Sequence, residues 1–156
     1  RLSESNAVTT LIRDYPRGRV PILPHRGVDV GNYIYVDDVV EGHILAMERG
    51  RSGQRYILGG DENVSLREFF IRVAKITGKR RGQLPIGKLG PKCIARFQLF
   101  LAKRFGVHPM FTPGWVKVFF HDWAYSSKKA QQELGFSPRP LEDGIRSTYE
   151  WLRSLE

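Results

Sequence analysis

Apolar positions recur at helical spacing in several windows and at strand-like density in two. Residues 5–15 predict a short helix, ended by Pro16 and Gly18. Residues 19–31 hold Pro21, Pro24, Gly27 and Gly31, which predicts a loop with at most a short strand. Residues 32–36, Asn-Tyr-Ile-Tyr-Val, are an aromatic and β-branched run and predict a strand. Val40, Ile44 and Met47 then share one helical face. Asp38 with Glu41 three residues on reads as a capping box, and Gly50 is a natural stop. Residues 55–60 predict a second short strand closing in a glycine turn.

Ser65 and Glu68 repeat the capping-box pattern ahead of Leu66, Phe69, Phe70, Val73 and Ile76, with Gly78 as the stop. Residues 79–90 are basic and irregular. Residues 91–105 predict a helix with Ile94, Phe97, Leu101 and Phe105 on one side. A further helix start is expected at 112–115, with Pro113 in its first position. Residues 123–125 read as a short extended piece. Ser126 is expected to cap a helix through Leu134 that stops at Gly135. Leu141, Ile145, Tyr149 and Leu152 mark a C-terminal helix.

Strand, helix, strand, helix between residues 32 and 78 is the alternation of an α/β layer architecture. Two short ribbons joined through helices call for parallel neighbours. This chain encodes few of them, so part of the sheet is expected to lie elsewhere, in a missing segment or another chain. The start at Arg1, with no leading strand pattern, points the same way.

The size, 156 residues, suits one domain or part of a larger one. Hydrophobic (41%) and charged (26%) fractions are those of a globular chain, which excludes disordered, fibrous and coiled-coil classes. No internal repeat or low-complexity segment occurs, and no apolar run approaches the ~20 residues of a membrane span. The single cysteine, Cys93, cannot form an intrachain disulfide, and no secretory signal is visible, so a cytoplasmic location is expected. Cys93 has no evident activator and reads as core.

Charge changes the picture more. The net charge is +9, yet from Phe69 to His121 there is no acidic residue and there are eleven basic ones. Such a field attracts an anionic partner or simply coats a solvated face. Within it, residues 88–104 mix Lys88, Lys92, Arg96, Lys103 and Arg104 with Ile94, Phe97, Phe100 and Leu101. That is the pattern of a helix on an anionic membrane surface, and equally of a core-packed helix with a cationic outer face. Bases interleaved with aromatics also keep nucleic acid open as a partner, without any recognised motif.

Three stretches carry a resemblance. Residues 33–46, Tyr-Ile-Tyr-Val-Asp-Asp-Val-Val-Glu-Gly-His-Ile-Leu-Ala, resemble a segment of the extended short-chain dehydrogenases/reductases, the NAD-dependent epimerase/dehydratase superfamily. Residues 53–60 and 63–68 look like the strand and helix that follow there. Residues 123–130 and 133–136 look like its C-terminal signature. The order and spacing match over nearly the whole chain. The resemblance implies an α/β fold: the C-terminal, substrate-binding portion of a Rossmann-like enzyme, with few parallel strands and a mostly helical subdomain. The N-terminal Rossmann half would be absent from this chain and would be its partner.

The parent would use NAD(P) to move a hydride between nicotinamide and a ketone or alcohol. Neither the glycine-rich phosphate turn nor the family's tyrosine-lysine pair is present in usable form. Hence the piece is expected to bind no cofactor and to be inactive alone. Tyr125 and Lys129 have the four-residue spacing but lie in the C-terminal signature, so they are not assigned catalysis.

Gly31 and Asn32 stand where nucleotide-sugar epimerases of this family carry an Arg-Asp pair, whose Arg holds a substrate phosphate. A glycine cannot do this. The departure favours the dihydroflavonol-reductase-like and 3-beta-hydroxysteroid-dehydrogenase-like branch. Half of a sugar epimerase or dehydratase is one alternative, and a basic membrane- or nucleic-acid-binding module without activity is another.

Candidate substrate contacts are Ser5, Asn6 and Thr9, which the resemblance places after the cofactor-side strand, with a helix cap by Ser3 or Ser5 as the plainer role. Phe111 and Trp115 could equally line an apolar pocket or the core. Asp37 and Asp38 read as helix caps rather than an acid pair or metal site. His25, His43, His108 and His121 show no metal-ligand spacing. A homodimer is a further open partner.

Overall fold

A computed structural model describes residues 7–87, 100 and 121–155. The elements in order are α1 (Ala7–Asp14), β1 (Ile22–Pro24), a 3-10 turn (His25–Gly27), β2 (Val30–Asn32), α2 (Val36–Arg49), β3 (Asn63–Ser65), α3 (Leu66–Thr77), β4 (Leu84–Ile86), α4 (Lys128–Leu134) and α5 (Leu141–Ser154). The expected helices at 91–105 and 112–115 lie outside the described residues.

The architecture is α/β, but its ladders are minimal. β1 pairs with β4 in parallel, Ile22 facing Leu84 and Pro24 facing Ile86. β2 pairs with β3 antiparallel, Val30 facing Ser65 and Asn32 facing Asn63. A single parallel bridge joins Gly31 to Trp123.

Neither strand expected from the sequence forms where it was placed. Residues 33–35 are extended but unpaired, and the ladder sits just upstream in β2. Residues 55–58 are likewise irregular, and the next ladder is β3. A strand exists only through a neighbour's hydrogen bonds, and among the described residues nothing pairs with these ribbons.

Two clusters of buried side chains hold the chain. In the larger, Ile12 from α1 and Tyr15 just after it, Phe69, Phe70 and Val73 from α3, and Leu141, Ile145 and Leu152 from α5 close over Leu23 and Val64. Phe69 and Val73 are fully buried. Tyr15 stacks on Phe70 with ring centroids 4.9 Å apart. Complete burial of such an aromatic contributes about 3–5 kcal/mol against its alanine variant. In the smaller, Ala130, Leu134 and Phe136 pack with Ile34, Leu45, Ala46, Tyr56 and Leu58, which ties α2, α4 and the 56–58 ribbon together. Tyr33 packs on the first cluster and Ile34 on the second, as alternate residues of an extended segment must.

Helix ends follow the sequence unevenly. The Ser65–Glu68 capping box forms: Ser65 Oγ accepts from Glu68 N at 3.2 Å, and Glu68 Oε2 accepts from Ser65 N at 3.1 Å. Gly78 closes α3 in the left-handed region. The expected Asp38–Glu41 box does not form. α2 opens at Val36, so its N-cap residue is Tyr35, which makes no side-chain cap; Asp38 lies inside the first turn and its carboxylate accepts from Arg139 instead. α4 has Ser127 as its N-cap residue, one position after the expected Ser126, without a side-chain cap bond. The Ser127 hydroxyl instead accepts from the Gln131 amide at 2.9 Å.

Candidate functional site

β2 and the residues flanking it form the only described wall where strain, exposed aromatics and polar clasps meet. Upstream, His25 and Arg26 both have positive φ, 46° and 57°. Consecutive non-glycine residues in this region cost about 1–3 kcal/mol each and persist only where the surroundings impose them. Here the imposing contacts are visible. Arg67 donates to the Arg26 carbonyl through Nε at 3.3 Å and Nη2 at 3.0 Å, and His25 Nδ1 lies 2.6 Å from Asp29 Oδ1.

The β2 edge is lined by the 121–125 segment. Asp122 Oδ1 accepts from Val30 N at 2.9 Å, and Trp123 N donates to the Val30 carbonyl at 2.8 Å. Trp123 and Tyr125, 40% and 43% exposed, lie side by side with His121 against Trp123.

Asn32 clasps the wall from behind. Its Oδ1 accepts from Gly60 N at 2.7 Å, and its Nδ2 donates to the Glu62 carbonyl at 3.2 Å and to Asn63 Oδ1 at 3.0 Å. Asn63 in turn exchanges hydrogen bonds with the Tyr125 backbone. Gly60 is required by this closeness, because a Cβ there would sit 2.0 Å from the Tyr33 carbonyl oxygen.

Gly31 shows why the position expected to hold a phosphate-binding arginine is empty of side chain. A Cβ on Gly31 would lie 2.9 Å from the Tyr33 ring and hydroxyl. The Tyr33 phenol fills that space, stacked on Phe69 at 4.6 Å. Burial pushes this phenol above its ordinary pKa, so it is neutral across the physiological range. The wall therefore presents aromatic and neutral polar groups at β2 rather than a guanidinium fork.

Of the sequence-derived candidates, Thr9 lies half-buried on α1. Ser5, Asn6, Phe111 and Trp115 lie outside the described residues, as do Cys93, His108 and the basic stretch 88–104. Tyr125 and Lys129 are not brought together as a catalytic pair. Lys129 Nζ turns to Gln54 Oε1 at 2.7 Å and sits over the Tyr56 ring. Among the described residues no group of His, Cys, Asp and Glu could hold a metal. Tyr33 and Trp123 lie in stretches that carry the resemblance without being singled out as site residues, Tyr125 and His25 are weighed in the sequence only for catalysis and metal binding, and the strained turn at His25–Arg26 has no signal in the sequence. The Gly31 departure and the 33–46 and 123–130 stretches are the signals that point to this neighbourhood.

The described residues do not fit a nicotinamide dinucleotide. Its pyrophosphate needs a glycine turn and a helix N-terminus free of negative charge. α2 opens on Asp37 and Asp38, α3 on Glu68, and α5 on Glu142 and Asp143, which repel phosphate; the first turns of α1 and α4 carry no acid, but no glycine precedes either within six residues.

No protein-family model matches the chain. Curated relatives do. A Synechocystis sp. protein named after dihydroflavonol 4-reductase is 28% identical over 148 residues, spanning 92% of this chain and 42% of that protein. The 3beta-hydroxysteroid-dehydrogenase/decarboxylase isoform 1 of Arabidopsis thaliana is 26% identical, over 96% of this chain and 37% of its own length. Among solved structures, gox2253 is 33% identical, with a TM-score of 0.74 over 96% of this chain and 44% of that one. The Bordetella bronchiseptica enzyme WbmF, solved with NAD+ and UDP, is 26% identical with a TM-score of 0.61, over 94% of this chain and 36% of that one. The chain is thus a relative of the extended short-chain dehydrogenases/reductases, the NAD-dependent epimerase/dehydratase superfamily. A dTDP-glucose 4,6-dehydratase of Streptomyces griseus is also 28% identical, over 85% of this chain and 33% of its own length, so the relatives carry reductase, dehydrogenase and dehydratase names alike. This chain spans between one-third and about two-fifths of the length of the curated relatives it matches.

Proposed function

We propose that this chain is the substrate-side, C-terminal portion of an NAD(P)-dependent oxidoreductase. The parent enzyme moves a hydride between nicotinamide and a ketone or alcohol of dihydroflavonol- or sterol-like character. A separate Rossmann half carries the cofactor. The carrying observation is α2. One side of this helix packs, through Gly42, Leu45 and Ala46, on Leu58 and the Phe136 cluster. The other side exposes Val36, Val40, Ile44 and Met47, one stripe at spacings of four, four and three.

A helix apolar on both sides belongs between two layers. The irregular 55–58 segment beside it, with Ile57 half exposed and no ladder partner among the described residues, asks for the same missing layer. Relatives more than twice as long supply the length for such a unit. The carboxylates at the helix N-termini fit a chain that leaves the pyrophosphate to that other half. Tyr33 in the space beside Gly31 supports an apolar ketone or alcohol over a nucleotide sugar.

Fluorescence titration of the chain with NADPH tests this reading. No saturable binding is expected up to high micromolar nucleotide. Micromolar affinity of the chain by itself would end the proposal. In a complex with a cofactor-binding half, Val40→Glu and Ile44→Glu should block association while leaving the circular dichroism of the isolated chain unchanged.

A further inference from the structure

The C-terminal ends of α1, α3 and α5 line one groove of about 370 Å3. Arg13 stands in the last turn of α1 and Arg17 just beyond it. Thr77 is the last residue of α3, and Leu152 and Arg153 belong to the last turn of α5. Gly78, left-handed at φ 66°, turns the chain after α3, and Lys79 next to it also lines the groove. No carboxylate is among the lining residues.

The walls are braced against each other. The Tyr15 hydroxyl donates to the Arg81 carbonyl at 3.3 Å and accepts from Arg81 N at 3.2 Å, while Arg81 Nε donates to the Pro16 carbonyl at 3.0 Å. These bonds tie the turn after α1 to the turn after α3. The Thr77 hydroxyl donates to the Val73 carbonyl at 2.8 Å and accepts from Lys79 N at 3.4 Å, which fixes the backbone that carries the lysine. Buried Leu152 and half-buried Tyr149 belong to the larger core cluster, so this side of the groove is rigid too.

Helix dipoles account for part of the charge here and not for the rest. Cations are favoured at helix C-termini, but each end supplies at most about half a negative charge, so three supply about one and a half. Asp14 adds one carboxylate, held by Arg13 through Nε at 2.7 Å and Nη2 at 2.9 Å and lying 4.0 Å from Arg17. The four cations Arg13, Arg17, Lys79 and Arg153 exceed that total by about one and a half charges. Arg13 and Arg17 share Asp14, so the surplus falls on Lys79 and Arg153. Among the described residues neither the Lys79 ammonium, the Arg153 guanidinium nor the Tyr149 hydroxyl has a hydrogen-bond or ion-pair partner.

We propose that this groove binds a small phosphate ester. The phosphoryl oxygens are taken by the Arg153 fork and the Lys79 ammonium, with the Tyr149 hydroxyl as a further donor. The volume falls within the range of small-molecule sites and leaves room for the organic part against Leu152 and the Tyr149 ring. A concave site with braced walls suits a compact ligand over a membrane surface or a duplex. The inference does not depend on the cofactor reading above.

Amide NMR titration of the isotope-labelled chain at constant ionic strength, with phenyl phosphate and with inorganic phosphate, provides the test. Saturable shifts are expected at residues 13–17, 77–79 and 149–153, with phenyl phosphate binding tighter than inorganic phosphate. Affinity in the millimolar range keeps this site apart from any micromolar nucleotide binding. Lys79→Gln/Arg153→Gln should weaken phenyl phosphate at least about tenfold, and Tyr149→Phe a few-fold. Arg55→Gln/Lys128→Gln makes the same change in net charge elsewhere on the surface and should bind like the parent. Shifts spread over the cationic residues without saturation, equal losses in the two double variants, or inorganic phosphate binding as tightly as phenyl phosphate would overturn the proposal.

Discussion

Asp38 and Arg139, 101 residues apart, hold the two halves of this chain together through two hydrogen bonds. Asp38 Oδ2 accepts from the Arg139 backbone N–H at 3.1 Å, and Oδ1 accepts from the guanidinium Nε at 2.8 Å. The guanidinium also lies over the Tyr35 ring, 4.3 Å from its centroid. Asp38 is 4% exposed. A carboxylate this buried persists only because both oxygens are satisfied. Asp38→Ala should cost about 2–3 kcal/mol in urea-unfolding free energy, since it strands a buried backbone donor and a cation together. Arg139→Lys should cost less than Asp38→Ala, because a charge remains for Asp38 while the planar stacking on Tyr35 is lost. Equal stability of Asp38→Ala and the parent would show the pair to be incidental.

Gly60 and Gly82 provide a contrast in backbone closeness. A Cβ at Gly60 meets the Tyr33 carbonyl oxygen at 2.0 Å, whereas nothing lies within 4 Å of one at Gly82. Gly60→Ala should therefore push residues 59–60 off Asn32 and lower the unfolding midpoint sharply. Gly82→Ala should stay within about 0.5 kcal/mol of the parent. Thermal unfolding of the two variants side by side decides the point.

Position 31 tests the aromatic wall directly. Gly31→Arg should destabilise the chain, because the new side chain must displace the Tyr33 ring from Phe69. Adding Tyr33→Ala should recover part of the loss by vacating that space, a non-additivity of about 1 kcal/mol or more in a double-mutant cycle. Simple additivity would mean that Tyr33 does not occupy the site that an arginine would need.

Acid sensitivity should arise from two named carboxylates. Glu62 is held below the usual carboxylate range by its hydrogen bonds to the Arg72 guanidinium, one of them 2.8 Å from Oε2. Asp14 is lowered by Arg13, 2.7 Å away. A lowered carboxylate contributes stability that is present above its unfolded value and is lost as pH falls through the folded one. Urea midpoints should therefore drop between neutral pH and about 3. Arg72→Gln should flatten that acid limb while lowering the neutral plateau slightly. An acid limb of unchanged depth in Arg72→Gln would assign the sensitivity elsewhere. Both pairs are substantially solvated, so the effects are modest.

The Ser65 cap offers a calibration of local prediction. Ser65→Ala should cost about 1 kcal/mol and Ser65→Gly only a few tenths, read by chemical denaturation. A Ser65→Gly cost as large as that of Ser65→Ala would point to a role other than capping.

What the sequence determined by itself was local. The helices over 66–77 and 141–154 follow from apolar spacing, and the Ser65–Glu68 box and Gly78 fix the ends of α3 within a few residues of chain. The α/β class and the superfamily resemblance were legible for the same reason, since each signature is a short contiguous run. The tertiary structure decided whatever depends on a distant partner. It moved the ladders off the two aromatic ribbons, onto β2 with β3 and β1 with β4, because a strand is made by its neighbour's hydrogen bonds. It turned Asp38 from a cap into a cross-chain anchor, because Arg139 arrives from 101 residues away. It placed the Tyr33 phenol beside Gly31 and the strained His25–Arg26 turn under Arg67. Such contacts are fixed by packing between layers, to which neither apolar periodicity nor a motif's spacing is sensitive.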